Sequence, residues 1–288
     1  VVRYAEPVVQ TAEHTMNDLI DQFRQAIAAA GPTPPTEIID DGAIHRFSAK
    51  GKPSHKSGWY ILHGDGIAAG AFGDWSEGFT QYWCSKADTA MTEAERVAHR
   101  ERVKAMHCQR EDDLAQRQQL AAADALKRWT AATPCTQHDY PTRKGIQPHG
   151  AKIEGDKLLI PMRDTAGTVH SLQTIAPDGT KMFMSGGRVK GCYFGIGKPN
   201  GALIVCEGFA TGASIHECTG HAVAVAFNAG NLEAVAVALR GKYPALKIII
   251  AADDDHQTPG NPGMTKAKAA AQAAGATLAV PVFEATTS

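Results

Sequence analysis

From Gly201 onward, unbroken apolar runs alternate with amphipathic stretches. Ala202–Cys206, Ala222–Phe227, Lys247–Ala252 and Thr277–Val280 predict strands, while Thr211–Thr219, Leu232–Arg240 and Met264–Ala274 predict helices, the last two ended by Gly241 and Gly275. Strands that are apolar at successive positions are buried on both faces, so this alternation predicts βαβ units and a parallel sheet flanked by helices. Upstream the pattern changes. Asn17–Ala30 carries Leu19, Ile20, Phe23 and Ile27 on one helical stripe, stopped by Gly31 and Pro32. Ile44–Phe47, Trp59–His63 and Gly70–Phe72 predict short strands separated by Gly and Asp turns. Residues 91–129 hold neither Gly nor Pro and predict one long exposed helix or two shorter ones. A proline-bearing hinge over Thr130–Gly150 follows, then strands at Leu158–Met162, Val169–Ile175 and Cys192–Phe194. The predicted organisation is a leading α+β domain over 1–141 with a helical segment at 91–129, a β-rich subdomain over 142–199, and an α/β domain over 200–288.

Composition changes this picture little, and charge placement changes it more. With 288 residues, 43% hydrophobic and 20% charged, the chain can build a sizeable core, and its net charge of -1 excludes a polybasic binder. Residues 142–199, however, hold 9 basic and 4 acidic side chains, net +5. No apolar run is long enough to cross a bilayer, and the chain does not open on a basic-then-apolar leader, so a cytoplasmic location and no membrane partner are expected. The six cysteines contain no CxxC pair, which predicts reduced thiols and no zinc. His216, Cys218 and His221 are close in sequence, but His216 and Cys218 do not share a helix face and His221 lies beyond Gly220.

The chemistry is concentrated at two strand ends. Leu203–Cys206 runs into Glu207-Gly208, and Ile248–Ala252 runs into Asp253-Asp254-Asp255. Ligands of open parallel sheets collect beyond the carboxyl ends of the strands. In an extended chain Asp253 and Asp255 point to one side, and Glu207 joins them if the two strands are neighbours. Carboxylates held this close repel, and a hard divalent cation compensates, commonly bound by one or two carboxylates together with substrate phosphates. The same acids also suit a turn or a helix cap. The glycines around Arg188 would let Lys181, Arg188 and Lys190 approach a phosphate backbone, although a solvated hairpin has the same composition. There is no GxxxxGK[ST], and Gly195-Ile196-Gly197 is followed by Lys198-Pro199 rather than by a helix. Trp75, set on a turn by Gly73 and Asp74, is the best of the base-stacking candidates among the strand aromatics.

The run Ile204-Val205-Cys206-Glu207-Gly208-Phe209-Ala210-Thr211-Gly212 resembles the first motif of a TOPRIM domain, and Ala252-Asp253-Asp254-Asp255 resembles its Asp-x-Asp motif, about 45 residues later in the same order. Leu159–Gly167 is similar to the strand and turn before the active site of bacterial primases, and Lys181–Gly191 to the basic segment that follows there. Gly58-Trp59-Tyr60 and Gly73-Asp74-Trp75 resemble the leading domain of primases carried by phages and plasmids. The resemblance implies a C-terminal TOPRIM domain preceded by a mixed α+β primase core. It implies a mobile-element DNA primase that makes short RNA primers on single-stranded DNA from ribonucleoside triphosphates. Glu207, Asp253 and Asp255 would be its catalytic acids and its Mg²⁺ or Mn²⁺ ligands. Arg163, Lys181, Arg188 and Lys190 would bind template or nucleotide phosphates, and a replicative helicase, fused or separate, would be its partner. Two alternatives stay open: a metal-dependent TOPRIM nuclease, and a non-catalytic nucleic-acid-binding or assembly module of a replication protein.

Overall fold

The computed structural model describes residues 12–51, 56–253 and 261–281, which form two compact units, 1–113 and 114–288. In the first unit α1 (Ala12–Ala29) precedes a four-stranded antiparallel sheet of β1 (His45–Phe47), β2 (Gly58–His63), β3 (Ala69–Asp74) and β4 (Phe79–Cys84), in that order. Phe23 and Ile27 of α1 pack on Tyr60, Leu62 and Phe72 of one sheet face. A Cβ on Gly70 would stand 2.6 Å from the Phe23 ring and 2.8 Å from the Ile61 carbonyl, so glycine is what lets α1 lie this close. The other face carries Trp59, Ile61, Ala69 and Ala71 against Met106 of α2 (Glu93–Ala131).

α2 is a single 39-residue helix. Its start is a reciprocal cap: the Thr92 amide donates to the Glu95 carboxylate, and the Glu95 amide donates to Thr92 Oγ1. Its second half belongs to the second unit.

That unit continues with β5 (Thr133–Pro134), α3 (Asp139–Lys144), β6 (Lys152–Glu154), β7 (Lys157–Arg163), β8 (Val169–Ile175) and β9 (Lys181–Phe183). These strands make an antiparallel sheet in sequence order, with β9 at one edge. The segment expected to be a loop-rich hinge thus contains a strand and a helix. His138 caps the helix through Nδ1, which accepts from the Tyr140 amide, and Pro141 sits in the first turn, where its missing N–H is harmless.

The last sheet contains β10 (Phe194–Ile196), β11 (Ala202–Cys206), β12 (Ala222–Val225), β13 (Lys247–Ala251) and β14 (Thr277–Ala279), in the order β10-β12-β11-β13-β14. β11 to β14 are parallel, as their continuous apolar runs predicted, and β10 is an antiparallel edge. Helices α4 (Phe209–Thr219), α5 (Leu232–Lys242) and α6 (Pro262–Ala274) connect them. One sheet face packs on α4 and on β7 and β8; the other packs on α5 and α6. The expected Ala222–Phe227 strand stops at Val225, because Phe227 turns into the left-handed region at φ 73°. The expected Cys192–Phe194 strand starts only at Phe194, Tyr193 being spent on a bridge to Arg163. Among the described residues, no helix is long and apolar enough to cross a membrane.

Candidate active site

β11 lies in the middle of its sheet, hydrogen-bonded to β12 on one side and β13 on the other. Val205 pairs with Ile250 and Cys206 with Val225, so Glu207 and Asp253 leave the sheet at the carboxyl ends of adjacent parallel strands. Both are half-buried. Side-chain alternation along β13 puts Asp253 on the face of Ile249 and Ala251, where Cys206 also points. The Cys206 thiol registers both acids. Burial pushes its pKa far up, and the charges of Asp253 and then Glu207 push it further. Two carboxylates thus converge on one buried side chain. Asp254 and Asp255 lie outside the described residues.

Gly208 precedes α4 with φ -100° and ψ 150°, and its carbonyl accepts the first helical bond from Gly212. A Cβ at Gly208 would meet only Thr211 Oγ1, at 3.5 Å. The turn between β11 and α4 therefore accommodates a side chain at this position. Gly212 is the constrained position: a Cβ there would sit 2.7 Å from Val225 Cγ2 and 3.1 Å from Cys206 Sγ, so its absence lets α4 settle onto β11 and β12.

The four basic residues differ in how they are held. The Arg163 guanidinium lies 5.6 Å from the Trp129 ring and donates to the Gly167 carbonyl at 2.9 Å, while its backbone bridges to Tyr193. Arg188 reaches Asp164 Oδ2 at 3.5 Å and Cys192 Sγ at 3.5 Å. Asp164 is itself organised. Burial opposes its charge, but His170 and the amides of Thr168 and Ala166 outweigh burial and hold the carboxyl below its ordinary range. Lys181 is exposed on β9, 5.9 Å above the Tyr140 ring, and Lys190 is exposed on the turn that follows. The lysines are thus open to a polyanion, whereas both arginines also organise the fold.

Asn231 escaped the sequence reading. It is buried, accepts from the Gly191 amide at 2.8 Å, and donates to the carbonyls of Cys192 and Ala226 at 2.9 Å each. One side chain thereby ties the turn after Lys190 to the carboxyl end of β12. Its only sequence signal is the polar break Asn228-Ala229-Gly230-Asn231 after an apolar run. In the first unit Trp75 is not an open stacking surface, since Arg46 and Arg110 lie 5.6 and 5.3 Å from its ring and Trp59 packs at 5.6 Å. Trp59 and Phe72 are core residues. His216 Nδ1 bonds the His221 carbonyl at 2.7 Å, and among the described residues no three His, Cys, Asp or Glu side chains are grouped to hold a metal.

Residues 202–286 match the Toprim domain family. A DNA primase TraC of Escherichia coli is 36% identical over 280 residues, covering 91% of this chain and 26% of that protein. A second DNA primase TraC of Escherichia coli is 34% identical over 282 residues, covering 91% and 19%. The chain therefore spans about a quarter or less of the length of these relatives. Among solved structures, the DnaG primase catalytic domain bound to ssDNA superposes with a TM-score of 0.42 at 11% identity, covering 60% of this chain and 73% of that one.

Proposed function

Starting from a Toprim-domain chain related to the TraC-type DNA primases, we propose that it carries metal-dependent nucleotidyl transfer. The reaction would be template-directed synthesis of a short RNA primer on single-stranded DNA. The observation that carries this reading is the convergence of Glu207 and Asp253 at adjacent strand ends, within the unit that also holds the exposed lysines. Two hard oxygen donors that repel one another fit a divalent cation. Glu207, Asp253 and Asp255 would hold Mg²⁺ or Mn²⁺, which when bound polarises phosphoryl oxygens and stabilises leaving pyrophosphate.

The chain's own groups position the reactants. Lys181 and Lys190 would take template or nucleotide phosphates as point charges. Arg188, held by Asp164, and Arg163, held against Trp129, would contribute positive potential from fixed places. Such phosphate contacts position a strand without reading its sequence. In the transfer, the primer 3′ hydroxyl gives up its proton to solvent as its oxygen bonds to the α-phosphorus of the incoming triphosphate, the bond from that phosphorus to the α–β bridging oxygen breaks, and pyrophosphate leaves. A replicative helicase would supply the unwound strand.

The test is product analysis with ribonucleoside triphosphates, Mg²⁺ or Mn²⁺ and a single-stranded template. Short templated RNA is the expected product. Cleaved DNA would favour a nuclease, and binding with neither product would favour an assembly module.

A further inference from the structure

β8 and β9 pair so that Gln173 lies opposite Phe183 and Ile175 opposite Lys181. Opposed residues of an antiparallel pair project from the same face. Ile175 on that face, with Leu158 and Ile160 of β7, enters the core shared with the Toprim sheet. Phe183 stands at the sheet edge, 41% exposed, and its ring meets Phe227 edge-on at 6.4 Å.

Phe227 is unusual. It is 7% exposed, yet its backbone sits at φ 73°, where a bulky L-residue is strained by about 1–3 kcal/mol. Its place explains what the strain achieves. The Ala226 amide donates to the Cys206 carbonyl at 2.8 Å, so Phe227 stands beside the Glu207–Gly208 step on the neighbouring strand. At this turn Phe227 enters the core on the α4 face of the sheet, with its ring against Phe183.

Gln173 supplies a second, independent observation. It is 3% exposed, and among the described residues its carboxamide has no hydrogen-bond partner. Its polar atoms are not among the wholly enclosed unpartnered ones, so they reach the open edge of the core. At that edge the carboxamide keeps its donor and acceptor open to solvent, so a ligand edge can replace the water there bond for bond.

We propose that Gln173, Phe183 and Phe227 form the base-recognition corner of the nucleotide site. Phe183, braced by Phe227, stacks the nucleobase, and Gln173 reads its edge. This rests on the nucleotidyl-transfer reading above. Exposed Lys181, on the same strand face as Phe183, supplies the complementary charge. A carboxamide offers one donor and one acceptor side by side, the pattern that matches N6 and N7 of adenine. The corner therefore prefers adenine nucleotides.

Isothermal titration of the full chain in Mg²⁺ with ATP, GTP, CTP and UTP tests this, with inorganic tripolyphosphate as the base-free probe. Wild type is expected to bind ATP at least about fivefold more tightly than UTP. Phe183→Ala should weaken all four nucleotides by about tenfold, since base stacking is sequence-tolerant, and Phe183→Trp should restore them. Gln173→Leu should bring the four affinities within twofold of one another. Tripolyphosphate should bind wild type and all variants alike. If it does while Phe183→Ala and Gln173→Leu bind nucleotides as wild type does, the corner is overturned and the metal and phosphate site stands. Loss of tripolyphosphate binding in those variants would overturn a role confined to the base. Absence of both tripolyphosphate and nucleotide binding in wild type would overturn the nucleotidyl-transfer reading itself.

Discussion

Glu207 and Asp253 are half-buried, close enough for both to act on the Cys206 thiol, and of like charge. Replacing either carboxylate by its amide removes the charge and keeps the side chain's size. Glu207→Gln and Asp253→Asn are therefore expected to stay folded while lowering primer synthesis at least about a hundredfold. Mg²⁺ should stabilise the wild-type protein against heat and lose that effect in each variant, because binding to the native state is what shifts the transition. Primer yield and melting curves with and without Mg²⁺ check this, and full synthesis by Asp253→Asn would remove it from the site. The two glycines of the first motif should also separate. Gly212→Val places atoms inside the contact with Val225 and Cys206 and should destabilise by about 1–3 kcal/mol or more. Gly208→Ala meets nothing nearer than 3.5 Å and should melt like wild type. Urea unfolding of both variants distinguishes them.

At the scale of elements, α2 depends on its first turn. Thr92 and Glu95 cap one another, and Lys86 bonds both Glu95 oxygens at 2.8 Å. Lys86 first, then the Thr92 amide, hold the Glu95 carboxyl down at about 2. A carboxyl whose folded pKa is depressed contributes stability that is complete above its unfolded value and lost as pH falls through the folded one. This contribution should therefore disappear between about pH 4.5 and about pH 2. Glu95→Gln should flatten the pH dependence of stability in that window and leave it unchanged above pH 6. An NMR titration of the Glu95 carboxyl, with denaturant unfolding across the window, checks both statements. A midpoint near 4.5 for Glu95 would dismiss the cap as a source of acid sensitivity.

For the whole molecule, the second half of α2 is part of the second unit. Ala125 is fully buried with Leu159 and Leu172, and Trp129 covers the same cluster. Lys152 donates to the Trp129 carbonyl at 2.8 Å, and Arg128 pairs with Glu154. A fragment of residues 114–288 should fold cooperatively and match the full chain in any stabilisation by Mg²⁺. A fragment starting at residue 142 strips the cover from Leu159 and Leu172, at about 1.5–3 kcal/mol for each large aliphatic side chain uncovered. It should aggregate or melt well below the longer fragment. Circular dichroism melts of the two fragments decide the matter, and equal stability would mean that the helix contributes nothing to this unit.

The parallel strands were legible in the sequence because double-sided burial leaves a local trace: Ala202–Cys206 and Lys247–Ala251 are apolar runs punctuated by acids and followed by helical period. The long helix was legible for a similar local reason, the absence of Gly and Pro over residues 91–129. Strand order leaves no such trace. That β11 and β13 are neighbours, so that Glu207 and Asp253 leave adjacent strand ends, follows from which helices cover which face, and this is settled by contacts distant in sequence. The same holds for Asn231 and Gln173, polar residues whose surroundings are assembled from segments about 40 and about 10 residues away. Phe227 read as the last residue of an apolar strand. Its left-handed turn comes two residues after β12 ends at Val225, the partner of Cys206, where the chain leaves the sheet. A linear pattern records which side chains avoid water. It does not record which polar groups are brought to one place once the layers close.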